Sequence, residues 1–303
     1  MDIRPVDLPE LRVAMIDTAR RWTTSVASQA IADVPHPLSG KPLSRQADAE
    51  ILEASLTAAD LYFVSTPMGI LAREAAKTLP SFALAPEDLP TPAGLVIFER
   101  PVDSLLHGEP AAPYLVQGFL WWVFQEAGVM VELFADRDAA LAEMARLELI
   151  DKQTVEHNRH LMAPAMRMAG RSTWWPFGKD TRADETAPGV AECLGVLKAA
   201  WLLMQQPIAT IHDVEADRAV RKRLRRQQRE PKPVRVIELR RPAHSGPGDG
   251  SREFHHQWIV RGHWRQQWYP ARQVHRPVWI APHIKGPEGA PLIGGEKVYA
   301  WKR

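Results

Sequence analysis

Apolar positions fall at helical spacing in some stretches of this chain and at alternate positions in others. Ala47, Ile51, Leu52 and Leu56 mark one face of a helix over 47–58, with Ser44 as its N-cap. Leu61-Tyr62-Phe63-Val64, bounded by Ser65-Thr66-Pro67, predicts a short strand. Met68 to Leu79 predicts a helix with Ile70, Leu71, Ala75 and Ala76 on one side, ended by Pro80. After a proline-marked loop over 80–93, strands are predicted at Gly94–Phe98, Tyr114–Phe124 and Val129–Phe134. The last two are joined by a Gln125-Glu126-Ala127-Gly128 turn. Asp136 is placed to cap a helix running to about Leu149.

The second half changes period twice. Residues 170–189 have none, which predicts an exposed loop with Trp174, Trp175 and Phe177 folded back. Val190 to Met204 is nearly all apolar and reads as a buried helix, broken by Pro207. A further helix is expected over about 213–229, capped by Thr210 or Asp213. Beyond Pro233 the pattern is strand-like at Val234–Arg241, 252–261, 276–281 and 296–301, with a flexible connection at 243–251. In 252–261 the alternation turns Phe254, His256, Trp258 and Val260 inward. Strands and helices mix without a βαβ rhythm, so the expected class is α+β. The length of 303 residues suggests two domains. The boundaries expected are an acidic α+β domain over 1–168, a loop over 169–189, a helical segment over 190–230, and a basic antiparallel β domain over 231–303.

Charge sharpens that division. The net charge of +2 conceals 20 basic and 7 acidic residues from Asp217 onward, against 18 and 29 in residues 1–216. A basic end suits nucleic acid, but equally the acidic part of its own chain or of a partner or second copy. The single cysteine, Cys193, reads as a small buried hydrophobe. The amino terminus has no apolar core of a secretory leader, and no apolar run approaches the roughly 18 residues of a membrane span, so a cytoplasmic protein is expected.

Within the helix expected at 213–229, Ala216, Val220 and Leu224 form a thin apolar stripe. Arg218, Arg221, Lys222, Arg225 and Arg229 line another face, with Arg223 and Arg226 beside it. Cations at this spacing can neutralise successive phosphates and release counterions. The segment Arg261 to Pro270 interleaves basic, amide and aromatic groups. Its indoles can stack on unpaired bases or build a β-core, and Arg261, Arg265 and Gln266 are the groups expected to face solvent, with Arg276 continuing the interface.

Metal-independent RNA cleavage needs a base, an acid and a cation, and His263, His275 and His283 with Arg265 or Lys285 are of those types. His255 and His256 fall on opposite faces of their strand. His157 and His160 share a helix face but have no third ligand, and no Cys-x-x-Cys or HExxH spacing occurs, so no metal site is expected. The Gly-rich stretches 245–250 and 286–295 precede no Lys-Ser/Thr helix, and no dinucleotide, kinase or esterase fingerprint is present, so no cofactor is expected.

The run Trp258 to Arg265, Gln267-Trp268-Tyr269-Pro270, His275-Arg276-Pro277, Trp279-Ile280-Ala281-Pro282 and Lys285-Gly286-Pro287 resembles the ending of a group of actinobacterial and actinophage proteins. In that group, too, a basic helix and a Val/Arg-rich strand precede the segment. The resemblance implies an intracellular protein associated with mobile elements and assigns no catalytic residue. The leading expectation is a non-enzymatic nucleic-acid-binding protein. A ribonuclease-like toxin and a protein-interaction module are the alternatives.

Overall fold

Alternation along one strand sets the layers. In β1 (Asp60–Val64), Leu61 and Phe63 enter one apolar core and Tyr62 and Val64 another, and all four are buried. A strand buried on both faces belongs at the centre of a sheet with helices above and below. The computed structural model describes residues 3–22, 44–107, 112–167, 173–179, 189–240, 256–287 and 291. Helices α1 (Leu8–Trp22) and α2 (Arg45–Ala58) cover the Leu61/Phe63 face. Helices α3 (Thr66–Ala76), α4 (Arg137–Arg146) and α6 (Val190–Met204) cover the other, while α5 (Lys152–Leu161) packs beside α4.

Between them lies a mixed sheet. Its remaining strands are β2 (Ala93–Phe98), β3 (Asp103–His107), β4 (Ala112–Phe124), β5 (Gly128–Asp136), β6 (Ala165–Arg167), β7 (Thr173–Pro176), β8 (Ala209–Val214) and β9 (Val234–Leu239). Among the described residues the order is β6-β5-β4-β2-β1-β9-β8, with β3 on β4 and β7 on β5. β1 runs parallel to both β2 and β9, and the other pairs are antiparallel. The class is α+β, with β1-α3-β2 as a single βαβ unit inside it. Asp136 caps α4 through the Ala139 N–H, as its sequence position predicts. The β4–β5 turn places Gln125 and Glu126 at positive φ.

The α6 face holds the larger core. Trp201 meets Trp121 and Trp175 edge-on at centroid distances of 5.4 and 5.8 Å, and Tyr62 lies 5.5 Å from Trp121. Gly94 is required here, because a Cβ would lie 2.2 Å from the Trp121 ring. Cys193 is buried in α6. On the opposite face, Arg167 is forked onto Glu132 (2.8 and 3.0 Å) and paired with Asp48, which pins α2 to β5. Burial works against that charge, but the two carboxylates outweigh it and raise the Arg167 pKa.

The N-terminus of α3 is capped by the residue that follows β2. The Glu99 carboxylate accepts from the Thr66 N–H at 2.6 Å and from its hydroxyl at 2.7 Å. The Thr66 hydroxyl and N–H hold Glu99 below the usual carboxylate range. A lowered folded-state value stabilises above the unfolded range and is lost as pH falls through the folded value. In melting curves taken below about pH 5, Glu99→Gln is expected to lose less stability than the parent. A parallel fall in both proteins would remove this cap from the account.

Four expectations are corrected. The expected boundary at 231 does not hold: β9 lies in the large sheet between β1 and β8. Val236 enters one core and Ile237 the other, as the apolar Val-Arg-Val-Ile run permits for an interior strand. Residues 209–214 are a strand, not the start of a helix, and the helix begins at Arg218 after Asp217. β8 escapes a periodicity reading because, as an edge strand, it buries neither face. Residues 173–176 are a strand on β5 rather than loop, held by Trp175 in the core. In 252–261 only Trp258–Val260 is strand among the described residues, with Val260 half-buried and Ile259 exposed. Phe254, His255 and the strand expected at 296–301 lie outside the described residues.

Candidate nucleic-acid interface

Helix α7 (Arg218–Arg226) carries six cations and the apolar anchors Val220 and Leu224 in nine residues, and its stripe orients it. Leu224 and the preceding Ala216 are buried and Val220 is half-buried, so the apolar side is turned wholly onto the protein. Side bonds to α1 fix the rotation. Arg223 pairs with Glu10, Arg229 reaches Asp17 at 3.3 Å, and the buried Arg12 donates to the Glu230 carbonyl at 2.9 Å. Arg12 is buried, and that burial lowers its pKa against the opposing pull of Glu230 and Asp60.

Arg218, Arg221, Lys222, Arg225 and Arg226 remain on the outer side, where they line an open depression. Arg218, Lys222, Arg225 and Arg226 are exposed and have no hydrogen bond or ion pair with any described residue. Arg221 is partly covered and only 3.8 Å from the exposed Glu215. From Arg218 to Arg225 the helix rises about 10 Å, room for roughly three phosphates of one strand at 3.4 Å each. Neighbouring cations are already committed: Lys232 and Arg235 both reach Asp60. Arg229, expected to bind outside, is instead spent on α1. Arg226 belongs to the open set, though the sequence pattern places it beside the main face. Glu10, Asp17, Arg12 and Glu215 left no sequence signal, because the contacts they make with α7 and the residues just after it depend on the fold.

The second expected element is a pair of small antiparallel ladders. β11 (His263–Tyr269) pairs β12 (Val274–Ile280), and β10 (Trp258–Val260) pairs β13 (His283–Lys285). Their attachment is on the α3/α6 side. Trp279 is buried, Trp264 packs on the same core and donates to the Ala75 carbonyl at 2.8 Å, and the Trp279 N–H donates to Gln206 at 2.9 Å. Arg276, expected to face nucleic acid, is instead 16% exposed and donates to Asp88 (8% exposed) and the Ala83 carbonyl. Burial pushes the Asp88 carboxyl up, against the opposing pull of the Ala85 N–H and Arg276. Asp88→Asn keeps the shape and strands the Arg276 charge. It is expected to cost about 3 kcal/mol and to speed amide exchange across 263–280. Unchanged exchange there would show that the two Trp contacts alone hold the hairpin.

Arg261, Arg265 and Gln266 face solvent as expected, although Arg261 is not without a partner and Arg265 donates to Gln267 Oε1 at 2.8 Å. The ladder separates His263 from His275. The β11–β12 register sets His263 opposite Ile280 and Trp268 opposite His275, so His263 and Arg265 share one face and His275 is on the other, five rungs away. His283 lies in the other ladder, opposite Val260. The Nδ1 atoms of His263 and His283 are each 3.0 Å from the carbonyl two residues back. His263 and His275 therefore cannot serve as one acid–base pair. Among the described residues no group of three His, Cys, Asp or Glu side chains is placed to hold a metal, and no helix is long and apolar enough to cross a membrane.

Thus α7 leans on α1 and the hairpin on α3 and α6, and the two halves of the expected interface lie against opposite faces of the sheet. No protein-family model matches the chain, and no curated protein sequence matches it.

Proposed function

We propose that this protein binds nucleic acid through α7 and acts without catalysis. The observation that carries the reading is the row of exposed, unpaired cations at Arg218, Lys222, Arg225 and Arg226, with Arg221 beside them. Like charges three and four residues apart on a helix repel, at a few tenths of a kcal/mol per pair. A fold that leaves them together while Arg223 and Arg229 are paired keeps a surface suited to a polyanion.

A membrane surface is the less suitable partner. Interfacial helices insert an apolar face, and the apolar face of α7 is already occupied by Leu224 and its neighbours. A line of arginines and one lysine, with no aromatic or amide group between them, favours the phosphate backbone over base edges. Binding is therefore expected to be sequence-tolerant. The reading extends to an association with mobile elements and a place inside the cell, which is what the resemblance read in residues 258–287 would imply.

The direct test is purification without nuclease, followed by the ultraviolet absorbance ratio and sequencing of whatever co-purifies. Recovered nucleic acid, released by salt, is the expected result. A clean protein spectrum together with no anisotropy change on labelled duplex or RNA at low salt would overturn the proposal.

A further inference from the structure

We infer that the tip of the β11–β12 hairpin is a second, separate contact that takes an unpaired base of single-stranded nucleic acid, so that one molecule can hold a duplex on α7 and a single strand on the hairpin at once. This rests on the reading of α7 given above. Residues 268–273 and His275 are all exposed, with Trp268 at 43% and Tyr269 at 40%. Trp268 and His275, directly opposite in the ladder, have ring centroids 4.8 Å apart at 49°. The His275 ring braces the indole from one side, and the exposed remainder is a platform of the kind on which bases stack.

The segment's own charges are of one sign. Residues 256–287 contain no Asp or Glu, but five Lys or Arg and four His. Arg276 is spent on Asp88, and Arg272 lies 3.6 Å from Glu87. Gln266, exposed on the Trp268 face of the same strand, remains within reach of a base edge. An apolar protein partner would not need a segment free of carboxylates. A stacked, negatively charged single strand suits it.

Attachment of α7 and the hairpin on opposite faces of the sheet makes the two contacts independent. The test is a sandwich assay with the full chain, confirmed as a monomer by light scattering. A duplex of about 20 base pairs is fixed on beads, and a labelled, non-complementary single strand of about 10 nucleotides is offered in solution. Protein-dependent capture of the single strand is expected. Trp268→Ala should weaken single-strand affinity about 10-fold, with duplex affinity and melting temperature unchanged. Arg218→Glu/Lys222→Glu/Arg225→Glu should lose the duplex and keep the Trp268-dependent single-strand binding.

Duplex and single strand displacing one another, or single-strand affinity indifferent to Trp268→Ala and Tyr269→Ala, would overturn the inference and leave the α7 reading intact. Failure of the parent protein to bind either polymer would overturn both.

Discussion

Replacing Arg218, Lys222 and Arg225 by Glu together is expected to abolish duplex binding while leaving the fold unharmed. All three side chains are exposed and unpaired, so no internal contact is lost. Each phosphate contact contributes a slope of about −0.9 in log K against log salt on duplex DNA. Three lost contacts thus amount to roughly 500-fold at about 0.1 M salt, before the repulsion from three new carboxylates. The same change relieves repulsion with Arg221 and Arg226 and creates opposite charges at helical spacing, so the melting temperature should hold or rise slightly. Separating these readouts matters, because loss of binding with loss of structure would be trivial. Arg223→Glu is the contrasting control: it breaks the pair with Glu10 and should affect stability as well as binding. Duplex binding that survives the triple change would mean that the duplex sits elsewhere on the protein.

The second large effect is on stability, at Arg167. Its guanidinium satisfies Glu132, which is 2% exposed, and Asp48. Removing one member of a buried ionic cluster leaves the others uncompensated, typically at 3–5 kcal/mol. Arg167→Met is therefore expected to lower the melting temperature by about 10 °C. The mechanism has its own signature. Replacing Glu132 and Asp48 by Leu in the same chain should recover most of the loss, since well-packed apolar groups can substitute for a complete buried cluster. A single Arg167→Met variant melting within about 2 °C of the parent would show that the carboxylates find water or other partners.

What the sequence reveals and conceals follows from where the information lies. Local patterns are read directly: the apolar run of α6, the Asp136 cap, the Leu61–Val64 strand and the Ala216/Val220/Leu224 stripe all carry their burial within a few residues. Partners distant in sequence are not read. β9 pairs with β1, more than 170 residues earlier, so its place in the main sheet is invisible from the basic composition around it. β8, exposed along most of its length, carries no alternation to detect. Arg276 and Arg229 look like their neighbours in the sequence, and only the fold brings Asp88 and Asp17 against them. The cations on α7 are legible as a set, but which of them stay open is decided by α1. His263 and His275 separate for a simpler reason: a strand turns successive residues to opposite faces, and composition cannot weigh that.

The open cations of α7 are the centre of this account, and the salt dependence of binding measures them most directly. Affinity for a duplex of about 20 base pairs, followed by anisotropy across a salt series, should fall linearly in log K against log salt with a slope of about −3, as roughly three phosphate contacts require. The Arg218/Lys222/Arg225 variant should approach zero slope. A parent slope near zero, or no measurable affinity at the lowest salt, would contradict the claim that α7 meets a polyanion.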